Sequence, residues 1–135
     1  MNQHPNLRAY MAGIVVPTLF LLVAMTAFTL ARYVFDVPVE IERVIVFPMA
    51  IVPNLWGLWN ILWLATRRSV PIGLFGAILP FVILPGAYVM TRLIGFTIPP
   101  GLPKVLPFGF LAAVAIYYLV WKHLVASLNR IVGVA

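Results

Sequence analysis

Long apolar stretches alternate with short polar punctuation along this chain. Residues 10–31, 44–66, 70–95 and 105–121 are apolar, and their central turns carry no charged side chain. A membrane span needs about 20 apolar residues, rising about 1.5 Å each, to cross a hydrocarbon core about 30 Å thick. The first three stretches reach that length. The fourth holds 16 residues from Leu106 to Trp121, so its helix is expected to continue through Lys122 and His123 toward Leu128, with those side chains reaching for the headgroup layer. The pattern predicts an all-α fold, an integral membrane protein in which residues 1–135 form a single domain. Its four transmembrane helices, about 10–32, 41–66, 70–95 and 105–128, are expected to form an up-down helical bundle.

Proline and charge mark the ends and the weak points of these helices. The first contains Pro17, carries Ala24, Ala27 and Ala31 as a small-residue edge for close packing, and ends at Arg32-Tyr33, a pair suited to the headgroup layer. Between Asp36 and Phe47 charges mix with apolar residues, so the second crossing starts anywhere from Ile41 to Pro48. Starting at Pro48 leaves 19 residues to Thr66, with the preceding segment lying along the outer interface as a short amphipathic piece. Pro48 and Pro53 in the second helix, and Pro80 and Pro85 in the third, each remove a backbone donor, so both helices are expected to be kinked or broken. The segments 48–56 and 80–88 share proline, isoleucine, branched aliphatic, proline and aromatic positions at an offset of 32 residues, a pattern compatible with an inverted repeat or with chance among 12 prolines. The outer connection after Gly95 is proline-rich, and the fourth helix is expected from near Pro107. Gly109, Ala112, Ala113 and Ala115 give it a small-residue surface, and Tyr117, Tyr118 and Trp121 suit the inner aromatic belt.

Composition agrees with this reading, since a chain that is 64% hydrophobic and 9% charged, with mean hydropathy +1.08, has more apolar surface than one soluble core of this size encloses. A lipid bilayer is the expected partner. The net charge of +6 points to no nucleic acid, because the nine basic residues are scattered at the ends of apolar segments instead of forming a run or patch. Arg8, Arg67, Arg68, Lys122 and Arg130 fall on one side, and Arg32, Arg43, Arg92 and Lys104 on the other. That bias, strengthened by the compact Arg67-Arg68 pair, predicts both termini in the cytoplasm, most simply across the plasma (inner) membrane, with Asp36, Glu40 and Glu42 outside. The absence of cysteine removes disulfide and thiol chemistry. The first apolar run, about 22 residues, is too long for a signal core of about 7–15 residues and is expected to be a retained helix.

Few residues offer chemistry. Three of the four tryptophans lie within eight residues, and at about 100° per residue Trp56, Trp59, Asn60 and Trp63 fall on one helix face about 100° wide, with Asn54 opposite. Such a face lines a pocket for an aromatic, cationic or lipid-like ligand, or packs as an aromatic stripe with Asn60 bonded across helices. Asn54, near the bilayer midplane, needs a partner such as a carbonyl freed by Pro53 near Met49, or a threonine on another helix. Arg92 intrudes furthest into an apolar span and is expected to pair with Asp36, Glu40 or Glu42, or to bind an anion or lipid phosphate. Two histidines, His4 and His123, cannot form a metal cluster or paired haem ligands within one chain, so neither metal nor cofactor is expected. No nucleophile with its base can be named, and no acid lies inside a span to carry protons. The leading expectation is a noncatalytic membrane-complex subunit or self-associating bundle, as a homo-oligomer or with other membrane-protein subunits. The alternatives are an oligomeric small-solute or ion transporter or channel and, with least support, a membrane enzyme on a lipid-like substrate.

Overall fold

The computed structural model describes residues 4–38, 40, 47–66, 69–95, 97–98 and 100–134, with side chains from residue 50 onward in the second helix. These residues form four helices and no strand: α1 (Pro5–Tyr33), α2 (Phe47–Ala65), α3 (Ile72–Leu93) and α4 (Leu102–Ile131). Three of them, α1, α3 and α4, are long and apolar enough to cross a membrane, at 29, 22 and 30 residues. The apolar helix Ala50–Ala65 is shorter. Ile41–Val46, with Glu42 and Arg43, and the Arg67-Arg68 pair lie outside the described residues.

Two helices begin earlier than the apolar pattern suggests. Pro5 opens α1 and Pro103 lies in the first turn of α4, positions where a missing N–H costs nothing and the fixed φ already suits a helix. Pro107, the expected start of the fourth helix, is therefore internal to α4. Backbone helicity runs unbroken through Pro17 in α1, Pro53 in α2, and Pro80 and Pro85 in α3. Within α4, Trp121–Val125 forms one π-helical turn. In a regular α-helix every fourth residue advances by about 40° around the axis. The wider π turn offsets part of that drift, so Trp121, Val125 and Asn129 all stay buried against the bundle.

Close backbone approach pairs the helices into two antiparallel hairpins. In the α1/α2 hairpin, a Cβ on Gly13 would stand 2.7 Å from the Trp56 carbonyl oxygen and 2.9 Å from the Gly57 Cα, and one on Gly57 would stand 2.5 Å from Cδ2 of Tyr10, so glycine at both positions lets the helices approach this closely. The buried small residues of α1 are Ala9, Ala12 and Gly13, whereas Ala24 and Ala31 are half-buried and Ala27 is exposed. In the α3/α4 hairpin, Gly76 receives the Trp121 indole. Between the hairpins sits a core of Trp56, Leu79, Trp121 and Val125. Arg8 donates to the Val132 carbonyl at 3.3 Å, which brings the two ends of the described chain together. We call this the near end of the bundle.

Packing fades toward the far end. Val23, Phe108 and Leu111 are 69%, 75% and 67% exposed, and only 6% of the most apolar windows of α1 and α4 is buried. Apolar faces on that scale need lipid or another protein as their solvent.

Candidate functional site

Four of the six polar or aromatic positions singled out in the sequence converge at the near end. Asn60 is fully buried, and its Nδ2 donates at 2.7 Å to the Ala9 carbonyl and at 2.7 Å to Oδ1 of Asn129. Asn129, also fully buried, returns a bond from its Nδ2 to Oδ1 of Asn60 at 3.0 Å. A reciprocal amide pair therefore ties α2 to α4, and a third bond ties both to α1. An amide withdrawn from water without partners costs about 2–7 kcal/mol, so the pairing removes a large penalty and fixes the register of three helices at once.

The three indoles on the same face of α2 are spent on packing and backbone bonds. Trp56 is buried, its ring centroid 5.0 Å from Tyr117 and 5.3 Å from Trp121. Trp59 is half-buried against Phe75, centroids 5.0 Å apart, and its Nε1 donates to the Phe75 carbonyl at 2.9 Å. Trp63 is buried and donates from Nε1 to the Val70 carbonyl at 2.9 Å, bracing the start of α3. Among the described residues, the buried N–H groups of Trp56 and Trp121 complete no well-formed hydrogen bond. Tilted aromatic pairs at these separations contribute about 0.5–1.5 kcal/mol beyond their buried area.

The remaining two positions lie apart from this cluster. Asn54 is exposed on α2, accepts from the Tyr10 hydroxyl of α1, and donates from Nδ2 to the Ala50 carbonyl at 3.0 Å. Its backbone partner is thus the carbonyl one turn earlier, and its side-chain partner is a tyrosine. Arg92, exposed at the far end of α3, lies 5.3 Å from the Tyr88 ring centroid. Its Nη2 and Nε donate to the Tyr88 hydroxyl at 2.9 and 3.3 Å. Tyrosine, not a carboxylate, is its partner among the described residues. Arg32 and Lys122 lie similarly near Tyr33 and Tyr118, at 5.5 and 5.4 Å. Cations on tyrosine rings suit a headgroup layer, where one part of the pair is apolar and the other wet.

No protein-family model, curated protein or solved structure matches this chain.

Two surface features were not visible in the sequence. An apolar trough of about 210 Å³ runs between α3 and α4, lined by residues including Pro80, Leu84, Ala87, Gly109, Ala113 and Tyr117. Above it, a pocket of about 420 Å³ is lined by Thr91, Arg92, Gly95, Thr97 and Ile98. Among the described residues, no three His, Cys, Asp or Glu side chains group together as a metal site would require. Asn129 and Tyr10 are the partners that the sequence reading missed. Asn129 had a signal, since it stands four residues beyond Val125 and eight beyond Trp121 on the buried line of α4. Tyr10 had none, because its role depends on which part of α2 packs against α1.

Proposed function

We propose that this chain is a noncatalytic multi-pass membrane protein, acting as a subunit of a membrane complex or as a self-associating helical bundle. In this reading α2 is the fourth span: its 19 residues cover about 28 Å at about 1.5 Å each, close to a hydrocarbon thickness of about 30 Å. Prolines bend α2 and α3, and both termini lie in the cytoplasm, with the plasma (inner) membrane as host.

One observation carries this reading. The interior polar groups hold the bundle together, while the far halves of α1 and α4 leave their apolar faces uncovered. Asn60 and Asn129 satisfy each other, and Asn54 is occupied by Tyr10 and Ala50, so these amides are arranged as fasteners. Helices meet in lipid through packing and a few interhelical bonds, and this chain concentrates its buried contacts at one end.

The decisive experiment is purification from native membranes in mild detergent, followed by intact-complex mass spectrometry. A second copy or another membrane protein in fixed stoichiometry is expected. A solitary monomer in several mild detergents would overturn the subunit reading.

A further inference from the structure

We propose that the trough between α3 and α4, together with the Arg92 pocket above it, binds one anionic phospholipid. An acyl chain lies in the trough and the headgroup phosphate meets Arg92. The inference rests on the membrane reading but not on the subunit reading.

The two features are aligned by helix register. Pro80, Leu84, Ala87 and Thr91 follow one another at helical spacing, so they share one face of α3. Pro80 to Ala87 wall the trough, and Thr91, about 6 Å further along the axis, begins the pocket. An apolar channel thus opens beneath a polar, cationic mouth at the end of a membrane helix. That sequence of surfaces follows the profile of a lipid, from tail to phosphate.

Charge narrows the choice of headgroup. Tyr88 accepts bonds from Nε and Nη2 of Arg92 but carries no charge, so the guanidinium keeps its positive field and has further N–H groups to offer. A guanidinium matches phosphate oxygens in geometry as well as charge. Thr97 adds a hydroxyl at the pocket wall, whereas the Thr91 hydroxyl donates to the Tyr88 carbonyl at 2.7 Å and can only accept. Among the described residues no carboxylate lines the pocket, so none of them pairs with the ammonium of an ethanolamine or choline headgroup. A phosphodiester with a neutral, hydroxylated headgroup satisfies the site, and phosphatidylglycerol has that chemistry.

The test uses the full chain, delipidated in mild detergent and titrated with phosphatidylglycerol, phosphatidylethanolamine or phosphatidylcholine under intact-protein mass spectrometry. One phosphatidylglycerol is expected to bind about tenfold more tightly than either zwitterionic lipid. Arg92→Gln should lower phosphatidylglycerol binding to the level of the others and leave theirs unchanged. Gly109→Leu should weaken all three, because a Cβ there meets no atom within 4 Å and the side chain grows into the trough without a backbone clash. Ala87→Leu fills the same space from α3 and serves if the glycine variant misfolds by circular dichroism. Equal binding of all three lipids by the wild type would mean annular lipid only and would overturn the proposal. So would wild-type binding in Arg92→Gln or in both trough variants, displacement of the lipid by millimolar inorganic phosphate, or occupation of the trough by a second copy, seen as a lipid-free dimer that Gly109→Leu dissolves. A chain that stays monodisperse without detergent would instead remove the membrane reading itself.

Discussion

Asn60 shows how much one polar side chain decides in an apolar bundle. Its Nδ2 bonds to Ala9 and Asn129 and its Oδ1 accepts from Asn129, so truncation leaves a buried amide with no partner. Asn60→Leu is expected to destabilise the fold by about 1–3 kcal/mol, the cost of stranding Asn129. The double variant Asn60→Leu/Asn129→Leu should cost less than the sum of the two single changes, by about 0.5–2 kcal/mol. Denaturant titration in detergent measures both, and strict additivity would contradict a coupled pair. Part of this was legible in the sequence: helical spacing grouped Trp56, Trp59, Asn60 and Trp63 on one face. What that face meets was not legible, because the partner of Asn60 lies 69 positions away and its proximity depends on how four helices pack.

At the scale of elements, apolar length located the helices well and their first turns poorly. Proline reads as a breaker inside a helix but as a favoured opener at its start, and only the fold distinguishes the two for Pro5, Pro103 and Pro107. The glycines carry a similar ambiguity. Gly76 and Gly86 both sit in α3, yet a Cβ on Gly76 would fall 2.1 Å from Cγ of Trp121 while one on Gly86 would meet nothing within 4 Å. Gly76→Ala is therefore expected to destabilise by about 1–3 kcal/mol through overpacking. Gly86→Ala should be neutral or stabilising by about 0.4–1 kcal/mol, because alanine narrows the unfolded ensemble and favours helix. Thermal unfolding of the two variants in the same detergent compares them directly, and equal losses would show that Trp121 does not seat on Gly76.

For the whole molecule, the governing feature is an asymmetry along the bundle axis. The near end is closed by the amide pair, the Trp56–Leu79–Trp121–Val125 core and the Arg8–Val132 bond, while the far end exposes apolar helix faces. Water would not tolerate those faces, and lipid would. We propose that the bilayer is the solvent and that the chain crosses it four times. With no native cysteine, single substitutions report location without background. His4→Cys, Ser69→Cys and Ile131→Cys sit at one end of the helices, and Asp36→Cys and Thr97→Cys at the other. In sealed membrane vesicles of defined orientation, a membrane-impermeant maleimide is expected to label the first three from the cytoplasmic face only and the last two from the opposite face only. Labelling of all five from a single face would contradict the four-span membrane protein.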